Sequence, residues 1–327
     1  MQTRRIFLLT LWFALPAFAL ACLKLETSCL CSATNVTSNI AVHLIDVGQG
    51  DSILIDTPEK DVLIDGGPTA AGSVVLSYLG SLNITRIQIM IATHPHEDHI
   101  GGLVAILNST ISVDEIMINS ETYPSKTYND FMTLAYSHSI TVAQRGQTIM
   151  LTDTANLGVF NPIQPLEFSP ANDPDYVNDN SIVVRLQAGN TSFLFTGDAE
   201  GDAEQSMLTA GLNLRSDVLK VGHHGSSYST TEQFLSAVSP TYAIISVGEN
   251  PYGHPSPNTI QRLISHGVTV YETSQSGTIV ASTDGTSITF QDNPQPISEF
   301  SSFLPLFMLT ALFAVMVIGR KPSLSLR

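Results

Sequence analysis

From residue 41 onward the chain alternates short apolar runs of β type with turns bearing Gly or Pro: 41–45, 52–56 and 62–64 read as strands. Residues 74–82 shift to a helical period, 87–93 form a β-branched run typical of a buried strand, and 100–107 are helical again. The same grammar returns later, with strands at 181–186, 193–196, 218–221 and 243–247 and helices at 204–210, 231–238 and 259–266. Strands and helices mixed in this way predict two sheets flanked by helices. Between 108 and 180 the pattern is too irregular to assign, and no short-period repeat is present.

The two ends obey different rules. Residues 1–21 carry Arg4 and Arg5, an apolar stretch and small residues at Ala17, Ala19 and Ala21, which reads as a signal peptide; a retained transmembrane anchor is the alternative. The paired arginines resemble a twin-arginine export motif, and Leu20-Ala21-Cys22 resembles a lipobox that would lipidate Cys22. Residues 22–40, rich in Ser, Thr and Asn, read as a linker before the domain at 41–292. A second linker, 293–301, leads to an uncharged segment at 302–319 near the lower length limit for a bilayer span, and a basic tail at 320–327 holds Arg320 and Lys321. Pro296 to Phe300 resembles archaeal surface-sorting tails. The expectation is an exported protein at the cell surface, anchored through its C-terminal segment to the outer face of the cytoplasmic membrane. Sequons at Asn35, Asn83, Asn108 and Asn190 suit an exterior address.

Charge sharpens the picture of the domain. The whole chain has a formal charge of −15, but residues 41–292 hold 8 Lys plus Arg against 27 Asp plus Glu, a balance of −19. That surface repels polyanions at long range and counts against tight sequence-independent nucleic-acid binding. All three cysteines, Cys22, Cys29 and Cys31, precede residue 41, so any metal ligands in the domain must be His, Asp or Asn.

Candidate chemistry concentrates in His94-Pro95-His96-Glu97-Asp98-His99, directly after a predicted buried strand. Four ligand-capable side chains in six positions serve two adjacent sites only if the backbone turns sharply, and Pro95 with the onset of a helix supplies the turn. His94 and His96 would face one ion, Asp98 and His99 the other. Imidazole with carboxylate suits Zn²⁺, Mn²⁺ or Fe rather than Ca²⁺ or Mg²⁺. The spacing closely resembles the HxHxDH motif of the metallo-β-lactamase superfamily. The segment 43–52, Asp65-Gly66-Gly67, Phe195-Thr196-Gly197-Asp198, the run 220–226 and the run 250–255 resemble, in order, the C-terminal hydrolase domain of ComEC-like competence proteins.

That resemblance implies an α+β four-layer αββα sandwich, the metallo-β-lactamase fold, holding two divalent metal ions, Zn or alternatively Mn. It implies Asp98 as a catalytic residue beside the attacking water and Asp198 as a carboxylate shared by both ions. A terminal superfamily ligand follows the last strand, which favours His254, leaving His223 and His224 as a general acid or a phosphate or metal contact; the reverse assignment stays open. The metal set expected is thus His94, His96, Asp98, His99, Asp198 and His254, with Asp98, His223 and His224 catalytic. The superfamily's third histidine between the first cluster and Asp198 is missing, and Asn178, Asp179 or Asn180 stands in its place.

The resemblance implies a metal-dependent hydrolase, with a phosphodiesterase or nuclease as the leading reading. The substrate is then a small-molecule or nucleic-acid phosphodiester, and no obligate protein partner is evident. A β-lactamase-like or lactonase-like hydrolase of small cyclic esters or amides, and a non-catalytic surface module, are the alternatives.

Overall fold

A computed structural model describes residues 39–171 and 175–297. The expected signal peptide at 1–21, the lipidation site Cys22, nearly all of the linker at 22–40, the segment at 302–319 and the basic tail lie outside the described residues. No helix among the described residues is long and apolar enough to cross a membrane.

Two mixed sheets lie face to face. The first has eight strands in the order β15-β14-β1-β2-β3-β4-β5-β6, formed by β1 (Ile40–Leu44), β2 (Ile53–Asp56), β3 (Val62–Ile64), β4 (Arg86–Ala92), β5 (Ser112–Ile118), β6 (Ser139–Val142), β14 (Ile279–Thr283) and β15 (Ile288–Phe290). The second has seven, β13-β12-β11-β10-β9-β8-β7, from β7 (Thr148–Thr152), β8 (Ala155–Asn161), β9 (Val183–Ala188), β10 (Thr191–Phe195), β11 (Val218–Lys220), β12 (Tyr242–Ile245) and β13 (Thr269–Glu272). Inward side chains of both sheets, Val42, Ile55, Leu157 and Phe193 among them, make one fully buried cluster. Apolar burial of this kind is the dominant favourable term in folding.

Each outer face of the pair is covered by helices. Helices α1 (Gly72–Ser81), α2 (Glu97–Leu107) and α3 (Lys126–Ala135) bury Leu79, Leu103 and Phe131 on the first sheet. Helices α5 (Gly201–Thr209), α6 (Glu232–Val238) and α7 (Pro257–Ser265), which follow the single turn α4 (Tyr176–Asp179), bury Met207, Phe234 and Leu263 on the second. A further turn, α8 (Thr273–Ser276), joins β13 to β14. The layers are therefore helix, sheet, sheet, helix, as the resemblance implies. Phe193→Ala would empty the middle of the inter-sheet core, and urea unfolding of the full chain should show a loss of about 3–5 kcal/mol.

Strand boundaries follow the predicted runs within a residue or two, helices α2 and α5 each begin three residues before their predicted starts, at Glu97 and Gly201, and the last three strands have no predicted counterpart. The unassigned stretch 108–180 proves to hold β5, α3, the edge strands β6 and β7, β8 and α4.

Parallel pairing sets up the site. Strand β4 pairs in parallel with β3 and β5, and β10, β11 and β12 are mutually parallel in register, with Phe195 opposite Lys220 and Lys220 opposite Ile244. Their carboxyl ends therefore open at one edge of the sandwich, the place where parallel sheets present ligand-binding loops.

Candidate metal centre

The loop after β4 carries the first histidines. His94 is buried and His96, extended at φ −70 and ψ 149, precedes the first turn of α2, so the chain turns at Pro95 and brings Asp98 and His99 round by helical geometry. His94 Nε2 lies 3.0 Å from His96 Nδ1, and the rings of His94 and His99 are 4.1 Å apart.

One buried carboxylate orients two of these rings. Asp65 Oδ1 accepts from the Thr93 backbone N–H at 2.8 Å, and its Oδ2 accepts from the Thr93 hydroxyl at 2.6 Å and from His99 Nδ1 at 2.8 Å. The same hydroxyl lies 3.1 Å from His94 Nδ1, as acceptor for its N–H. With Nδ1 engaged on both rings, each turns Nε2 inward, a common support for metal-binding imidazoles. Helix α2 reaches Asp65 because Gly102 has no side chain: a Cβ there would stand 1.9 Å from Gly66 O. The Asp65-Gly66-Gly67 motif alone does not show this task of Asp65.

Asp198, just past the end of β10, is the point of convergence. Its Oδ2 lies 3.2 Å from His99 Nε2, 3.5 Å from His224 Nε2, 3.7 Å from His223 Nε2 and 3.8 Å from His94 Nε2. Ser181 Oγ accepts the Asp198 backbone N–H at 3.2 Å, and Asp179 Oδ1 accepts from the N–H groups of Glu200 and Ala203, pinning the turn into α5. Asn180 donates to Phe168 O and to Glu121 Oε2.

His223 and His224 follow β11 and both adopt left-handed backbone, at φ 44 and 51. Consecutive left-handed residues swing the two side chains into the cluster from one short turn, Gly222–Gly225. His223 Nδ1 donates to Glu200 Oε1 at 2.5 Å, and His224 Nδ1 to Ser246 O at 2.9 Å beyond β12. Each again directs Nε2 inward; that of His224 lies 3.4 Å from Asp98 Oδ2. His254 sits farther out on the cleft wall, its ring 5.1 Å from that of His223. Among the described residues, the groups of His, Asp and Glu close enough to share an ion are His94 with His99 and Asp198, Asp98 with His99 and His224, and Asp51 with Asp65 and His99. His254, His223 and His96 belong to none of them, although His223 Nε2 lies 3.7 Å from Asp198 Oδ2 and His96 is held at the edge through His94.

Beneath the cluster lies Lys220, 1% exposed, whose ammonium contacts Asp51 Oδ2 and donates to Gly197 O at 3.0 Å. It offsets part of the negative charge gathered there. Glu200, Asp51 and Lys220 were not singled out from sequence, although each lies within or beside a quoted motif.

Without metal, the cluster is a network of mutually biased charges. Burial favours the neutral form of Asp198, but the imidazoles of His224, His99 and His223 hold it well below the usual carboxylate range. Burial likewise opposes charge on His99 and His223, and is overcome by Asp198 with Asp65 in one case and Glu200 in the other, so both are pushed up. His94 and His96 go down, chiefly through burial and through neighbouring imidazoles. Asp98 falls to about 2, since the bond to His224 and the charges of His99 and His224 outweigh its burial.

Residues 45–160 match the family model described as metallo-beta-lactamase superfamily. The chain belongs to the metallo-β-lactamase superfamily. It is 32% identical to ComE operon protein 3 of Bacillus subtilis over 265 residues, 75% of this chain and 33% of that one. It is also 32% identical to competence protein ComA of Neisseria gonorrhoeae over 245 residues, 73% and 32% of the two chains. The chain thus spans about a third of the length of these curated relatives. Among solved structures, the metallo-beta-lactamase fold protein YhfI of Bacillus subtilis superposes with a TM-score of 0.50 at 14% identity, covering 75% of this chain and all of that one, which speaks for the fold.

The superfamily implies resident divalent ions, and the donor set here fits them. His99 Nε2, His224 Nε2 and Asp198 Oδ1 are buried with no hydrogen-bond partner, although Asp198 Oδ2 is close to both rings. Buried polar atoms left unpaired are costly, and a divalent ion accepted by these imidazole nitrogens and the carboxylate would relieve that cost.

Proposed function

We propose that the protein is a metal-dependent phosphodiesterase, with His94, His96 and His223 holding one divalent ion, Asp98, His99 and His224 a second, and Asp198 shared between them. The observation that carries this reading is the approach of four imidazole Nε2 atoms to the single oxygen Asp198 Oδ2. His223 takes the place the sequence left to Asn178, Asp179 or Asn180, since its Nε2 lies 3.7 Å from the same Asp198 oxygen that His94 Nε2 approaches at 3.8 Å. This assignment exchanges the roles first expected, making His223 and His224 ligands and removing His254 from the set.

Zn²⁺ or Mn²⁺ held there would supply Lewis acidity and a lowered pKa for water in the cleft. The chain does the rest. Asp65, Glu200 and Ser246 fix the imidazole tautomers, and the Asp98 carboxylate, whose Oδ2 lies 3.4 Å from His224 Nε2, would orient water entering the cleft and take up its proton. In the metal-free protein burial, followed by the charges of His223 and His224, lowers the pKa of His254 to about 4, so at neutral pH its ring on the cleft wall is uncharged.

The test is to dialyse the full-length protein against chelator, restore Zn²⁺ or Mn²⁺, and assay bis-p-nitrophenyl phosphate beside a lactone. Metal-dependent release of p-nitrophenol is expected, together with protons released on metal uptake as His99 and His223 give theirs up. Lactone hydrolysis without phosphodiester hydrolysis would reject the reading.

A further inference from the structure

The walls of the cleft carry information that the metal cluster does not. Its volume is about 640 Å³, enough for a ligand of small-molecule size. Of the eight Lys and Arg among the described residues, none lines it. Lys220 is buried beneath Asp51, and Lys126, next in sequence to the lining residue Ser125, is paired with Asp130. The lining instead offers Glu97 and Glu249 with the neutral Gln49 and Asn250. A polynucleotide placed here would find no side-chain cation for the phosphates flanking the scissile one, and sequence-independent nucleic-acid binding rests on such cations.

What the walls do offer is aromatic surface at two ends. The Tyr123 ring stands edge-on to His96 with centroids 5.1 Å apart, and ring contacts continue through His94, His99, His224, His223 and His254 to Tyr252. Tyr252 tilts at 35° over His254 with centroids 5.8 Å apart, yet is 71% exposed. An exposed ring braced by an imidazole on the wall of a cleft is a ready stacking surface, low in conformational entropy.

From this combination we infer that the substrate is a compact phosphodiester with one negative charge and planar, uncharged flanking groups, and that Tyr252 is the residue on which one of those groups stacks. The inference rests on the phosphodiesterase reading and narrows it. The single charge meets the metal centre, while every additional phosphate meets Glu97, Glu249 and a domain with a balance of −19.

The experiment compares dithymidine monophosphate with a thymidine oligomer of about twenty residues on the full-length, metal-loaded protein, at about 0.05 and 0.5 M salt. The dinucleotide should be cleaved more efficiently per phosphodiester, and cleavage of the oligomer should rise with salt as repulsion is screened, opposite to the fall that cationic nucleic-acid sites show. Tyr252→Ala should raise KM for the dinucleotide about 10-fold with kcat little changed, and Tyr252→Trp should restore it. Equilibrium dialysis of a dithymidine phosphorothioate should show the same loss and rescue in affinity. An oligomer preferred at low salt and lost at high salt, or an affinity indifferent to Tyr252, overturns the inference while leaving the phosphodiesterase reading intact. No cleavage of either nucleotide or of bis-p-nitrophenyl phosphate overturns both.

Discussion

Asp198→Ala is expected to strip the protein of most of its divalent metal and to lower kcat/KM on a phosphodiester by about 10³-fold or more, equivalent to about 4 kcal/mol of transition-state stabilisation. The magnitude follows from where the carboxylate sits. Four imidazole nitrogens approach one of its oxygens, so no other single side chain touches as much of the cluster. In the metal-free protein it is also the largest influence raising the pKa of His99 and of His223. Metal analysis after dialysis, with ¹H–¹⁵N spectra of the imidazoles in the apo protein, reads both effects. In the variant, the pKa values of His99 and His223 should fall. Asp198→Asn, which keeps the shape but not the charge, should lie between. A variant retaining full metal content would show that the shared carboxylate is not a ligand.

The second large effect separates two histidines whose roles the sequence leaves open in favour of His254. His224→Ala removes a ring whose Nε2 faces both Asp98 and Asp198, and is expected to lower metal content and to reduce the rate at least about 10²-fold. His254→Ala removes a ring on the cleft wall and should leave metal content close to normal, with a smaller loss that appears mainly in KM. Elemental analysis of the two purified variants decides between them. A metal deficit in His254→Ala with His224→Ala fully loaded would restore the assignment first drawn from chain position.

The proposed exchange of roles marks the limit of what is legible in the sequence. The layered fold was legible because β4 and β10 carry apolar runs at Ile89 to Ala92 and Phe193 to Phe195 and the outer helices keep one apolar stripe. His94, His96, Asp98 and His99 were legible because they are close in sequence, so local geometry limits what they can do. The order of ligands after Asp198 depends on two backbone angles at His223 and His224, which no propensity predicts for histidine. Tyr123 was hidden for another reason. It follows β5 and precedes α3, in the stretch where edge strands, a one-turn helix and amphipathic segments blur the periodicity.

The turn at His223 and His224 also sets a tension between durability and chemistry. Left-handed backbone costs a residue with a Cβ roughly 1–2 kcal/mol, and this turn places two such residues in succession, where glycine would rest without penalty. A sequence selected for stability alone would drift towards glycine here and lose two inward-facing imidazoles. The domain is thus less stable than its core permits, and the deficit sits in the one turn that carries neighbouring histidines to the same carboxylate oxygen.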